Sequence, residues 1–278
     1  MNDNPITLIT GSNSGIGKET AIALAKEGHE IIMVSRDSEK SHSALNEIKE
    51  KSSNRKIHLY TCDLASLKSI KDVAVKIGDD FTHINILINN AGLFKTKYEE
   101  SSDGFEMTMA VNYFAPFYLT NLLSKLLRKQ PNSRIINLSS DMYKRGKVTL
   151  NTLEAQKSFN SQKTYANSKM LINYFTLELA HRLKDETITV NALHPGVVST
   201  DVFRDYPQWF NNIFQLFISK PEEGAKPSIY LASSEEVSDL TGKYFSKFIM
   251  KPMENMNLKD EFLKALWDKT EEIIQKSI

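Results

Sequence analysis

Short apolar runs rich in Ile, Val and Thr alternate along the first two thirds of the chain with longer stretches of helical period. "ITLIT" (6–10), "EIIMVS" (30–35), "KIHLYT" (56–61), "INILIN" (84–89), "RIINLS" (134–139) and "ITVNAL" (188–193) read as strands. Residues 14–28, 38–51, 66–79, a long stretch around 104–129, and 162–183 carry the apolar spacing of helices. The first of these stops at Gly28, a residue suited to ending a helix. The strands are apolar at nearly every position, the pattern of strands covered on both faces. Such alternation predicts an α/β fold: a single Rossmann-type doubly wound parallel sheet with helices on both faces. Residues 199–222 are less regular and contain Pro207, Trp209 and a run of Phe and Ile. A helix over 223–233, a short strand "GKYFS" and an amphipathic helix over 257–276 follow as a C-terminal helical elaboration. No repeat, low-complexity tract or Pro/Gly-rich linker divides the chain, so residues 1–278 read as one domain.

Charge and composition narrow the partners. The formal net charge is +1, so there is no overall pull toward nucleic acid or anionic membrane. Mixed-sign runs such as "NEIKEKSSNRK" read as solvated helix faces. The single cysteine, Cys62, excludes an internal disulfide and a cysteine metal cluster, and it follows a strand, as a core thiol would. The six histidines lack metal-ligand spacing, so no metal site is expected. No signal peptide and no run of about 18 apolar residues is seen, so a soluble, cytoplasmic protein without an integral membrane segment is expected. "WFNNIFQLFI" (209–218) has no Lys or Arg for a membrane-facing polar side and reads as a hydrophobic lid over a substrate.

The first strand runs into "TGSNSGIG", which opens the first helix. In that strand–loop–helix setting Gly11 permits a tight turn, Gly15 lets backbone approach a pyrophosphate, and Gly17 lets helix and strand pack closely. Ser12, Asn13, Ser14 and Ile16 complete a loop whose N–H groups would meet phosphates at the helix N-terminus. The spacing is T-G-x-x-x-G-x-G rather than G-x-G-x-x-G.

That variant, with the motifs that follow it in order, resembles the short-chain dehydrogenase/reductase family over nearly the whole chain. "NNAG" supplies Asn89, Asn90, Ala91 and Gly92, where the family stabilises its sheet and lines the cofactor site. "CDL" places Asp63 and Leu64 at the adenine. "VN" places Asn112 in the long helix, "NLSS" places Ser140 after the fifth strand, and "YANSK" holds Tyr165 and Lys169. "NALHPGVVST" matches the segment at the nicotinamide end, bringing Pro195, Gly196, Val198 and Thr200 to the cofactor. "GIGKET", "SRD", "HPGVV" and the closing "GKYF…ALWDKTEEI" look most like the retinol dehydrogenase and oxidoreductase branch. Many members of that branch carry an N-terminal membrane anchor, which is not expected here, and the 199–222 pattern points to no named substrate.

Tyr165 and Lys169 share one helical face. A tyrosine in water has a pKa of about 10, which suits an acid and makes a poor base. A helix dipole offers about 0.3–1 kcal/mol. An ammonium about 4 Å away, at an effective dielectric near 20, offers roughly 4 kcal/mol, or about three pKa units. The lysine is therefore expected to bring the tyrosine down toward neutrality. The resemblance further implies that Lys169 holds the nicotinamide ribose, Ser140 binds the substrate oxygen, and Asn112 positions a water linked to Lys169. Ser140 is preferred to Ser139 as the second serine of such a pair. The residues between Ser140 and Tyr165 make a long gap, read either as an excursion shaping substrate entry or as an ordinary surface loop.

At the end of the second strand stand Ser35, Arg36 and Asp37. Ser35 leaves room for a 2′-phosphate, Arg36 can pair with it, and Asp37 suits the next helix start. This favours NADP(H) over NAD(H), although Asn13 is not the basic residue of some NADP-preferring relatives. The expected activity is interconversion of a carbonyl and an alcohol on a small, fairly apolar molecule, with Tyr165 as acid and base. A redox sensor on the same fold and an NAD-dependent alcohol dehydrogenase are the alternatives. The resemblance further implies a homo-oligomer formed through the two long helices, a contact that the C-terminal elaboration stands to block or replace.

Overall fold

A computed structural model describes residues 4–154, 159–196 and 220–278. Seven strands form the expected parallel sheet: β1 (Ile6–Thr10), β2 (Glu30–Ser35), β3 (Ile57–Thr61), β4 (Ile86–Asn89), β5 (Ser133–Leu138), β6 (Ile188–His194) and β7 (Lys243–Ser246). An eighth, β8 (Ile249–Lys251), adds antiparallel to β7, so the sheet is not wholly parallel. The order is β3-β2-β1-β4-β5-β6-β7-β8. It reverses between β1 and β4, and the crevice over their carboxyl ends is where such sheets bind ligands.

Successive residues of one strand serve two cores, because side chains alternate across a sheet. Leu8, Ile32 and Val34 join the core under α3 (Leu67–Asp80), the long helix α4 (107–127), α5 (Ser161–Arg182) and α7 (Asp260–Ser277). Ile9, Ile31 and Met33 join the core under α1 (Gly15–Lys26), α2 (Glu39–Ser52) and α6 (Pro221–Ser233). Cys62 lies in the first core, accepts from the Ser69 hydroxyl at 3.7 Å, and is pushed up to about 11 by burial, an inert core thiol.

The long helix departs from the uninterrupted one expected around 104–129. α4 consists of Met107–Met109, a π-helical turn Ala110–Phe114, and Ala115–Leu127. The cause is in the sequence: Pro116 has no N–H for the Asn112 carbonyl, and its ring crowds that turn of a regular helix. The Ala115 N–H accordingly reaches back to the Ala110 carbonyl. The wide turn carries Asn112.

The C-terminal helix begins at Asp260 rather than 257. Its Trp267 packs on Phe117 and Phe175 at ring distances of 4.6 and 5.7 Å, with the Arg182 guanidinium 4.3 Å from the indole. Thr270 shares a 2.7 Å hydrogen bond with the Tyr113 hydroxyl. α7 thus covers part of the faces of α4 and α5. The expected lid over 199–222 lies mostly outside the described residues, and Pro221 and Glu222 belong to α6.

Candidate active site

The glycine loop has the shape its spacing predicts. Gly11 and Gly15 take φ of 66° and 52°, the left-handed region that favours glycine. At Gly17 a methyl group would stand 2.5 Å from the Gly11 carbonyl oxygen and overlap Asn90 Nδ2, so close packing rather than backbone freedom requires glycine there. Ser12 folds its hydroxyl onto the Ile9 carbonyl at 3.1 Å. Ser14 is the extended residue before α1, and its side chain makes no capping bond. The first N–H groups of α1 are left to an external acceptor, and no acidic residue occupies that turn. This is the donor set a pyrophosphate needs, so the loop fits the dinucleotide that the motif implies. Ile16 turns its side chain into the second core, so only its backbone can serve.

"NNAG" divides into two tasks. Asn89 points beneath the sheet, donating to Thr120 Oγ1 at 3.0 Å and Asn137 Oδ1 at 2.8 Å. Asn90 donates from Nδ2 to the Thr10 carbonyl at 2.7 Å, and the N–H groups of Asn90 and Ala91 reach Thr10 Oγ1 at 3.0 Å. These bonds pin the end of β4 to the glycine loop. A methyl group on Gly92 would stand 3.4 Å from both Asn112 Oδ1 and Lys169 Nζ.

At the adenosine end, Ser41 gathers two side chains and a main-chain carbonyl. It accepts from Asn13 Nδ2 at 3.0 Å and from the Ser35 hydroxyl at 3.1 Å, and donates to the Arg36 carbonyl at 2.7 Å. Asp37 faces His42 at 3.1 Å, away from the role of a ribose-binding acid. Arg36 is exposed and pairs with no carboxylate among the described residues. Asp63 is exposed at the end of β3, accepting from Ala65 N at 3.0 Å, while Leu64 packs on the first core.

Four predicted side chains converge where α4 and α5 cross the ends of β4 and β5. Lys169 is buried, and its Nζ donates to the Leu138 carbonyl at 2.8 Å. It lies 5.7 Å from the centre of the Tyr165 ring. Ser140 stands beside the Tyr165 hydroxyl, where it favours the ionised form of the tyrosine, and its Oγ accepts from Met142 N at 3.2 Å. Ser139 instead gives its hydroxyl to the Lys169 carbonyl at 3.2 Å, so Ser140 is the serine that meets the tyrosine. Asn112 clasps Leu93: Oδ1 accepts from its N–H at 2.8 Å, and Nδ2 donates to its carbonyl at 3.0 Å and to Ser168 Oγ at 3.1 Å. Both amide hydrogens are spent, which leaves its side chain no donor for the water expected there.

The electrostatics differ from the expectation. Burial pushes Tyr165 up to about 12, with the Ser140 hydrogen bond pulling the other way, and brings Lys169 down to about 8. In the free protein burial, rather than Lys169, is the largest influence on the tyrosine. The Lys169 ammonium is held on the Leu138 carbonyl, and loss of water costs both charged forms more than the pair regains.

Three neighbours were not legible in the spacing. Phe94 packs on the Tyr165 ring at 5.2 Å. His194 brings Nε2 to 3.7 Å from Asp141 Oδ2. Asp141 follows the serine directly, which is the only signal that could have found it. Pro195 and Gly196 (φ 95°) lie beyond β6, and Val198 and Thr200 are outside the described residues.

Residues 5–211 match the family described as short chain dehydrogenase. Human Retinol dehydrogenase 13 is 40% identical over 276 residues, covering 96% of this chain and 83% of that protein. Human Retinol dehydrogenase 14 is 35% identical, covering 96% and 85%. Among solved structures, an uncharacterized protein from Mycobacterium paratuberculosis superposes with a TM-score of 0.78 at 26% identity, over 98% of this chain and 96% of that one. An RhlG/NADP active-site complex from Pseudomonas aeruginosa superposes at 0.70 with 25% identity, over 88% and 95%. No helix among the described residues is long and apolar enough to cross a membrane.

Proposed function

The chain belongs to the short chain dehydrogenase family, in its retinol dehydrogenase branch, and from that premise we propose an NADP(H)-dependent reductase of apolar aldehydes or ketones with Tyr165 as the acid. That it is an NAD(P)-dependent oxidoreductase acting on a small molecule follows from the family. The observation that carries the finer reading is the buried Tyr165 and Lys169, with Nζ 5.7 Å from the Tyr165 ring centre and Ser140 beside the phenol. A nicotinamide cofactor held by the glycine loop would supply the hydride.

The protein's part is the oxygen. Ser140 donates a hydrogen bond to the carbonyl oxygen and holds it near the tyrosine hydroxyl. Tyr165, still a phenol at neutral pH, gives that oxygen its proton as negative charge develops. Lys169 replaces the proton, since an ammonium brought down to about 8 gives one up readily. Resupply from solvent runs through a water on the Asn112 main-chain carbonyl, which Pro116 cannot satisfy, and not through the Asn112 amide. Phe94 keeps the Tyr165 ring dry. Val198 and Thr200 complete the cofactor site by resemblance.

NADP(H) is supported by Arg36, exposed and without a carboxylate partner among the described residues, beside Ser35, with Asp37 turned to His42. An NADP complex of a similarly folded protein agrees with it. The relatives' names place retinaldehyde in the first substrate panel. The test is turnover of a panel of aldehydes and ketones with NADPH and NADH side by side. NADPH oxidation with an apolar carbonyl is expected in the wild type. Tyr165→Phe should lower kcat by at least about 10²-fold with NADPH affinity unchanged. An active Tyr165→Phe enzyme would remove the tyrosine from the reaction.

A further inference from the structure

Ser140 must keep its place against Tyr165, yet it stands at the start of a 3-10 turn (Asp141–Arg145) on the surface side of α5. Its upstream neighbour is well held: the Ser139 N–H bonds the Leu193 carbonyl at 2.7 Å and its hydroxyl bonds the Lys169 carbonyl. We propose that Asp141 is the positioning residue on the other side, tying the turn that carries Ser140 to the ends of β6 and β7.

Three side chains from those strands face the one carboxylate. The Tyr244 hydroxyl donates to Oδ1 at 2.8 Å, the Ser246 hydroxyl donates to Oδ2 at 3.3 Å, and His194 Nε2 lies 3.7 Å from Oδ2. A carboxylate has only acceptors, about four lone-pair sites, so it can serve all three. Tyr244 is a permanent donor: burial, then the hydrogen bond and charge of Asp141, hold its proton far above the ordinary phenol range. The Tyr244 ring is itself fixed edge-on to Tyr143 at 5.0 Å, and the Tyr143 hydroxyl accepts from Glu254 N at 3.1 Å.

The rest of the turn has no slack to replace this tie. The Tyr143 N–H returns to the Ser140 carbonyl at 2.9 Å. At Gly146 a methyl group would stand 3.0 Å from the carbonyls of Ala166 and Tyr143, so the turn lies flat on α5 one residue past Tyr165. Cutting the Asp141 anchor therefore lets Ser140 move as part of a short rigid unit. A displacement of about 1 Å at such a site costs up to about 10²-fold in rate.

This inference rests on the proposed role of Ser140, and the experiment separates the two. kcat, KM and the Kd for NADPH (by fluorescence titration) are measured for wild type, Ser140→Ala, Asp141→Ala, Asp141→Asn, Tyr244→Phe and the Asp141→Ala/Tyr244→Phe double variant. Asp141→Ala should lose about 10-fold or more in kcat, with KM for NADPH and Kd within about twofold. Asp141→Asn keeps an acceptor for Tyr244 and should recover to within about threefold of wild type. Tyr244→Phe should fall between, and the double variant should be no slower than Asp141→Ala alone, because both cut one tie. The proposal is overturned by wild-type kcat in Asp141→Ala, by independent additive losses, or by an Asp141→Asn as slow as Asp141→Ala. If Asp141→Ala does not fold, Tyr244→Phe and Ser246→Ala decide, and wild-type kcat in both overturns it. A Ser140→Ala enzyme at wild-type rate would instead sink the reading of the serine itself.

Discussion

At the residue scale, the chemistry turns on two buried groups whose ionisation burial opposes in both cases. Tyr165 keeps its proton to about pH 12 and Lys169 loses its own near 8. The sign follows: kcat/KM for carbonyl reduction should fall by one proton as pH rises through about 8, while the phenol stays intact. A Lys169→Arg enzyme, whose guanidinium does not lose its proton in this range, should move that fall to higher pH if it remains active. A pH–rate profile flat to pH 10 in the wild type would break the link to Lys169. At the other end of the site, Arg36→Ala should raise KM for NADPH by about tenfold and leave KM for NADH nearly unchanged, since only the former has a 2′-phosphate to pair. Equal effects on both would return the cofactor preference to open choice.

At the scale of elements, two positions show local sequence answering to distant packing. Gly17 sits in the first turn of α1, where a bare propensity argument would favour alanine. The Gly11 carbonyl and Asn90 amide leave no room for a methyl group. Gly17→Ala should therefore destabilise the fold by about 1–3 kcal/mol and weaken nucleotide binding together, which thermal melting and an NADPH titration would check. Pro116 acts the other way. It forces a π turn into α4 and thereby places Asn112 where its amide can clasp both backbone groups of Leu93. The expected helix was right in kind and wrong in continuity, because apolar periodicity does not register a wide turn.

At the scale of the whole molecule, α7 closes the core that α4 and α5 begin. Trp267 is nearly fully buried against Phe117 and Phe175, so Trp267→Ala should cost about 3–5 kcal/mol in a denaturant titration. Loss of the cover would also expose the aromatic faces of both long helices, and self-association of that variant on a sizing column is the expected companion effect. Acid should loosen the fold as a unit. His29, bonded to Thr7 Oγ1 at 2.8 Å, and His194 are both held below the ordinary imidazole value by burial. The unfolded chain takes up protons near pH 6.5 that the folded one refuses, so their contribution to stability is lost as pH falls through that value. The melting temperature should drop between pH 7.5 and 5.5, with a shallower drop in His29→Gln.

The sequence by itself determined the parallel strands and their crossovers, which follow from local signals: unbroken apolar strands and a glycine loop at a strand end. It marked Ser140, Tyr165 and Lys169 as candidates through resemblance to the family, since a Tyr and a Lys on one helical face are common on any helix surface. Tertiary structure alone decided how those groups are charged and what holds them. A pKa depends on how much water burial removes, and no spacing reports that, so the expected lysine effect on Tyr165 gave way to desolvation. Asp141 and Tyr244, 103 residues apart, meet only because β7 lies beside β6 in the sheet. The antiparallel β8 escaped notice because three residues carry no period to read.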